Sequence, residues 1–138
     1  MTVVDSFGLC KFNYPGFMDI VSTPEVLAKG YYAVTGLKLS GEELLSAGER
    51  IYNVEKAFNA RLGLARAEDN FSVPEKFLEE PLKEGGFKGQ VFPLDTMLDE
   101  YYEARGWGKD GLQTYEKLSK LGLIEIADEL KRLGRLSE

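Results

Sequence analysis

The chain has 138 residues, enough for one sizeable hydrophobic core and too few for two. Its net charge of −6 repels phosphate backbones and anionic lipid, so neither a nucleic acid nor a membrane is expected as a partner. One cysteine and no histidine exclude an internal disulfide, a Ser-His-Asp or Cys-His triad and a His-rich metal site.

With 43% hydrophobic, 29% charged and 12% aromatic residues, the composition is that of an ordered globular protein. No apolar run reaches the roughly 18 residues of a membrane-spanning helix. The start, Met1-Thr2-Val3-Val4-Asp5, has neither a basic n-region nor a long apolar h-region, so no signal peptide is read and a cytoplasmic location is expected.

Residues 1–20 carry no sustained period of 2 or 3.6 and read as a loop or short strand, with a turn signal at Asn13-Tyr14-Pro15-Gly16. Thr23-Pro24 predicts the start of a helix through Val26, Leu27, Tyr31 and Val34 that stops at Gly36. Ser40-Gly41-Glu42-Glu43 fits a capping box, with Ser40 as N-cap. It opens a long amphipathic helix over about residues 41–62, ended near Gly63. Leu44, Ala47, Gly48, Ile51, Val54, Phe58 and Leu62 form its apolar face, with Glu42, Glu49, Arg50, Asn53, Lys56 and Arg61 opposite.

Prolines 74, 81 and 93 and the Gly85-Gly86 pair break the next stretch. Ser72-Val73-Pro74-Glu75 opens one short helical turn through Glu79, and Gly85 to Phe92 reads as an extended loop or a single strand. A helical pattern resumes from Leu94 to Arg105, followed by a loop at residues 106–111. Thr114 then caps a short helix to about Lys120, and a last helix spans residues 123–133, with Leu123, Ile126, Ala127 and Leu130 on one face. The expected fold is all-α, a single helical domain over residues 1–138 with long glycine-rich connections. Connections of that length suggest packing on something outside the chain.

Five groups of residues qualify as candidate sites. Cys10, beside Leu9 and Phe12, is a small buried hydrophobe, a reactive thiol or one thiolate ligand of an iron–sulfur cluster that needs about four. Asp5 caps its own backbone or accepts hydrogen bonds from a ring's amino and imino groups. The carboxylate groups Glu42-Glu43, Glu79-Glu80 and Asp99-Glu100 with Glu103 offer a hard-cation site or an acid and base, but their Lys and Arg neighbours favour a solvated face. Gly85-Gly86-x-x-Gly89 lacks the lysine and the strand–helix context of a phosphate loop. Tyr31-Tyr32, Tyr101-Tyr102 and Trp107 read as core or interface filler.

Several segments together resemble one family. Asp5-Ser6-Phe7-Gly8-Leu9-Cys10 is similar to the DxxGLC motif of the tungsten/molybdenum-pterin aldehyde:ferredoxin oxidoreductases. Ala33-Val34-Thr35-Gly36 resembles AVTG, and residues 48–59 (GERIYNVEKAFN) resemble GERIxNLExxFN. Glu79-Glu80-Pro81-Leu82 resembles EEPL, residues 97–107 (MLDEYYEARGW) resemble MLDEYYxxRGW, and residues 117–123 (KLSKLGL) fit the closing helix.

The resemblance implies the helical C-terminal domain of such an enzyme, with residues 1–20 as a cofactor-facing loop. In the family, aldehydes are oxidised to carboxylic acids at a tungstopterin or molybdopterin beside a [4Fe-4S] cluster, and ferredoxin accepts the electrons. The resemblance carries pterin contact to Asp5, Gly8 and Leu9 and the fourth cluster ligand to Cys10. It assigns no catalytic residue to this chain. A carboxylate suits the paired donors of a pterin edge, Gly8 permits close backbone approach, and Leu9 and Phe12 give a cluster an apolar surround. The family's CxxCxxxC segment, which supplies the other three cysteines, is absent here. The chain is therefore expected to be a fragment, split subunit or excised domain, binding no cofactor and inactive alone, with the remaining N-terminal domains or a subunit as partner. The alternative is a stand-alone helical domain with an interaction or structural role.

Overall fold

A computed structural model describes residues 2–8, 23–71 and 73–137. The Asn13–Gly16 turn, Leu9, Cys10, Phe12 and Ser72 lie outside the described residues. Among the described residues there are eight helices and no strand, only isolated bridges between Trp107 and Gln113 and between Thr114 and Ser137. They are α1 (Thr2–Ser6), α2 (Pro24–Thr35), α3 (Gly41–Arg61), α4 (Arg66–Asn70), α5 (Glu75–Glu79), α6 (Leu94–Arg105), α7 (Tyr115–Lys120) and α8 (Ile124–Arg132). The all-α expectation holds. Contacts group the chain into two compact units, Met1–Glu55 and Lys56–Glu138.

In the first unit, α1 replaces the loop or strand expected at the start of the chain. Five residues are too few for a helical period to be visible, and such a helix stands by packing rather than propensity. Val4 is 2% exposed, and Phe7, just past the helix, stacks on Tyr31 of α2 with centroids 5.2 Å apart and planes 16° from parallel. The Ser6 hydroxyl also donates to the Thr2 carbonyl at 2.7 Å. Gly48 explains how α1 lies so close to α3: a Cβ there would overlap the Val3 side chain. Helix α2 begins at Pro24 and ends on Gly36 in the left-handed conformation, as the sequence predicts.

The capping box of α3 is formed in both directions. The Glu43 carboxylate accepts from the Ser40 N–H at 2.7 Å, and the Ser40 hydroxyl accepts from the Glu43 N–H at 3.2 Å. These bonds hold the Glu43 carboxyl below its usual pKa, the backbone bond from Ser40 contributing most.

The buried face of α3 differs from the one expected. Leu44 and Gly48 are buried, but Ile51, Val54, Phe58 and Leu62 are 38%, 42%, 53% and 62% exposed. Asn53, placed on the polar face by the pattern, is fully buried, and the Lys56 side chain is only 10% exposed. Two physical reasons explain the turnover. Ala57 and Ala60, at 4% and 0% exposure, are themselves part of the second unit's core, and periodicity weighted by large hydrophobes undercounts such residues. Burial of Asn53 is tolerated because its amide donates to the Glu49 carbonyl at 2.9 Å.

The second unit is built on Ala57, Ala60, Leu112, Leu118, Ala127 and Leu130, with Ala65, Leu123, Ile126 and Leu136 packed against them. The predicted inward face of α8 is thus the observed one. Thr114 caps α7, its hydroxyl accepting from the Lys117 N–H at 3.2 Å. Helix α4 was not anticipated, although Glu68 accepts from the Ala65 N–H at 2.7 Å in the manner of a third-position Glu. Gly85 to Phe92 forms turns rather than a strand, pinned by Gly89 N–H to the Leu82 carbonyl (2.8 Å) and Phe92 N–H to the Phe77 carbonyl (2.8 Å).

Candidate cofactor-binding segment

Asp5 sits in the last turn of α1 with its side chain exposed, and Gly8 follows three residues later, also exposed. Backbone bonds from Phe7 N–H to Val4 O (3.2 Å) and from Gly8 N–H to Asp5 O (3.1 Å) close the turn that carries both. Burial of Val4 and the Phe7–Tyr31 stack anchor that turn within the first unit. Among the described residues the Asp5 carboxylate meets no hydrogen-bond donor, so the self-capping alternative is not realised there. Gly8 has φ +67°, a conformation that disfavours any other residue, yet an added Cβ would meet nothing within 4 Å. Backbone conformation, not crowding by the described residues, calls for glycine. The turn therefore offers an unpaired acceptor beside open space, which fits a polar ring edge approaching from outside. Leu9 and Cys10 complete the sequence motif but lie outside the described residues.

The other candidates resolve into structural roles. Asp99, grouped by sequence with Glu100 and Glu103 as a cation site, is held by Arg66 at 2.6 Å, and Arg66 also reaches Asp95 at 3.0 Å. Glu43 is committed to its cap, and Glu79 and Glu80 are exposed. Among the described residues no three His, Cys, Asp or Glu side chains converge as metal ligands.

The most connected polar cluster joins α3, α4 and α6. The Tyr102 hydroxyl donates to Asp69 at 2.6 Å, Lys56 pairs with the same carboxylate at 3.2 Å, and the Lys56 ammonium lies 5.2 Å from the centre of the Trp107 ring. Burial, reinforced by the bond to Asp69, pushes the Tyr102 phenol far above its ordinary pKa. Tyr101 meets Trp107 edge-on at 5.8 Å, and Tyr102 and Trp107 are 1% and 6% exposed, so these rings fill the core as the sequence suggests. This cluster fixes helices and has no room for a substrate. Sequence reading missed Arg66 and Asp69 as a clamp, because their side-chain partners lie 13 to 33 residues away and follow no local spacing.

A cavity of about 340 Å³ is lined by Asn70, Leu78, Phe92, Pro93, Leu94, Asp95 and Thr96. One of about 610 Å³ in the first unit is lined by residues that include Glu25, Lys29, Tyr32, Lys38 and Glu42, with charges of both signs. No helix among the described residues is long and apolar enough to cross a membrane.

Residues 1–123 match the family described as aldehyde ferredoxin oxidoreductase, domains 2 and 3. The chain belongs to the aldehyde ferredoxin oxidoreductase family. It is 39% identical over 129 residues to the tungsten-containing aldehyde ferredoxin oxidoreductases of Pyrococcus furiosus and Thermococcus kodakarensis. Each alignment covers 90% of this chain and 20% of the relative, so the chain spans about a fifth of these relatives' length. Among solved structures, it is similar to the active site complex BamBC of benzoyl coenzyme A reductase in complex with 1,5-dienoyl-CoA. That likeness has a TM-score of 0.65 and 30% identity, covering 85% of this chain and 16% of the other. The aldehyde ferredoxin oxidoreductase family and the all-α architecture are those expected from the ordered motifs.

Proposed function

We propose that this chain is the C-terminal part of an aldehyde:ferredoxin oxidoreductase-like enzyme and completes a cofactor site whose other half lies in the remaining domains or a separate subunit. In this reading Asp5 accepts hydrogen bonds from the donor edge of a pterin. Gly8 and Leu9 shape the backbone beside it, and the Cys10 thiolate is one iron ligand of a [4Fe-4S] cluster. When bound, a tungstopterin or molybdopterin would supply two-electron redox chemistry at an aldehyde carbon, and a cluster held in part by Cys10 would supply one-electron transfer toward ferredoxin. This chain's residues hold and orient; none performs the proton chemistry.

The observation that carries the reading is the Asp5–Gly8 turn, with an exposed carboxylate that meets no donor among the described residues, close to a left-handed glycine. The family match and the 39% identity to tungsten-containing relatives, over a fifth of their length, support it. A second substrate class rests on the benzoyl coenzyme A reductase likeness, since that 30% identical neighbour is in complex with 1,5-dienoyl-CoA. Substrate choice would then lie in the rest of the assembly.

The test is anaerobic co-expression with a Pyrococcus furiosus relative lacking the segment matched by this chain. A brown complex containing tungsten and iron that oxidises an aldehyde with ferredoxin as acceptor is expected. A chain that neither associates nor contributes to iron binding would return it to a stand-alone structural or interaction domain.

A further inference from the structure

Between Pro74 and Pro93, wholly within the second unit, no residue is buried and only Leu78 is half-buried. Five large apolar side chains of this segment meet solvent: Phe77 (55% exposed), Leu82 (51%), Phe87 (68%), Val91 (42%) and Phe92 (38%). Backbone hydrogen bonds gather them into one loop. The Phe92 N–H donates to the Phe77 carbonyl at 2.8 Å, the Leu82 N–H to the Gln90 carbonyl at 3.0 Å, and the Gln90 N–H to the Phe87 carbonyl at 3.1 Å. A compact surface loop whose ends meet normally packs on its own side chains. Here the main chain closes the loop and the large side chains stay outside. Exposed charges of both signs alternate with them along the chain, at Lys76, Glu79, Glu80, Lys83, Glu84 and Lys88. Apolar groups set among charged ones are the anatomy of an interface, and the cavity of about 340 Å³ lies against the same loop, with Leu78 and Phe92 in its wall.

We infer that the loop between Pro74 and Pro93 is a docking surface by which the chain seats on the rest of an aldehyde:ferredoxin oxidoreductase-like enzyme. The occupant is argued from length and size. The matched segment is 20% of each tungsten-containing relative, leaving four fifths of such a protein for the loop to meet. Five side chains fall well short of the roughly 20–30 residues a side of a self-standing interface. The loop therefore suits one part of a larger contact with a large, folded partner, and does not suit a dimer of this chain made through the loop alone. The assignment rests on the proposed function above and names a surface that function uses.

The experiment co-expresses the full chain, tagged, with the Pyrococcus furiosus relative lacking its matched segment, and measures co-purified partner and its affinity. Phe87→Glu and the milder Phe77→Ser/Leu82→Ser pair are compared with Ile124→Glu, which alters a side chain 52% exposed on α8 of the same unit. Circular dichroism and unfolding midpoints verify that each variant folds. Wild type and Ile124→Glu should co-purify in equal amounts, and both loop variants should bind at least about tenfold more weakly with unchanged helicity. Loop variants that bind as wild type does, or an Ile124→Glu chain weakened as much as they are, would overturn the docking surface while leaving the proposed function standing. No binding by the wild type removes both. A wild-type homodimer broken by Phe87→Glu would assign the loop to a second copy and overturn the inference.

Discussion

The two compact units differ in the carboxylates that stand out in each. In Lys56–Glu138, Asp69 takes both the Tyr102 hydroxyl and the Lys56 ammonium, and Arg66 ties together Asp95 and Asp99. Its core residues Leu118, Ala127 and Leu130 are at most 2% exposed. In Met1–Glu55 the buried hydrophobes are Val4, Ala28 and Leu44, and the carboxylate that the family motif singles out meets no donor among the described residues. In the second unit the Asp69, Asp95 and Asp99 carboxylates are tied to cations and a phenol of the same unit. In the first unit the Asp5 carboxylate is exposed, as the proposed cofactor contact requires.

The sharpest way to break this contrast is to empty the second unit's core. Leu118→Ala, at 0% exposure, should cost about 2–5 kcal/mol, read as a lower urea midpoint with an unchanged slope. Asp69→Asn comes next: it weakens the acceptor of Tyr102 and removes the partner of Lys56. With the Asp69 side chain 35% exposed, solvent moderates the loss to about 1–2 kcal/mol.

Tyr102 adds a pH dependence whose sign is fixed by its raised pKa. In the unfolded chain the phenol ionises near 10, whereas the folded protein keeps it neutral to higher pH, so the folded state binds more protons. Stability from this group is complete below about pH 10 and is lost as pH rises beyond it. Tyr102→Phe should flatten that decline, as measured by unfolding at pH 9 and 11.

In the first unit the effects are smaller and local. Gly48→Ala drives a Cβ into Val3, so overpacking should outweigh the gain in helix propensity by about 1 kcal/mol. Faster amide exchange confined to the α1–α3 contact is the readout, and unchanged exchange there would mean that α1 does not depend on that approach. Smallest is Ser40→Ala, which removes the N-cap of α3 and should lower the thermal midpoint by about 3 °C.

Helix ends were the most readable features of this chain. Pro24, Gly36, the Ser40–Glu43 box and Thr114 announce themselves because capping is local chemistry, settled within four residues. The orientation of α3 was not readable. Ile51 and Phe58 look like core residues to any count of large hydrophobes, and only tertiary packing reveals that Ala57, Ala60 and Asn53 take the inside. Helix α1 was hidden for a related reason, since Val4 and Phe7 are held by partners distant in sequence. At the candidate site the motif named Asp5 and Gly8, but spacing could not show that Asp5 would lack a donor or that Gly8 would face open space.

The claim that the Asp5–Cys10 segment is half of a cofactor site is tested most directly by iron content. The chain and its Cys10→Ser variant are each co-expressed anaerobically with the truncated Pyrococcus furiosus relative, and iron is counted in the purified complexes. About four irons per complex with wild type, and a clear loss in Cys10→Ser with association intact, are predicted. Equal iron in both complexes would contradict the account.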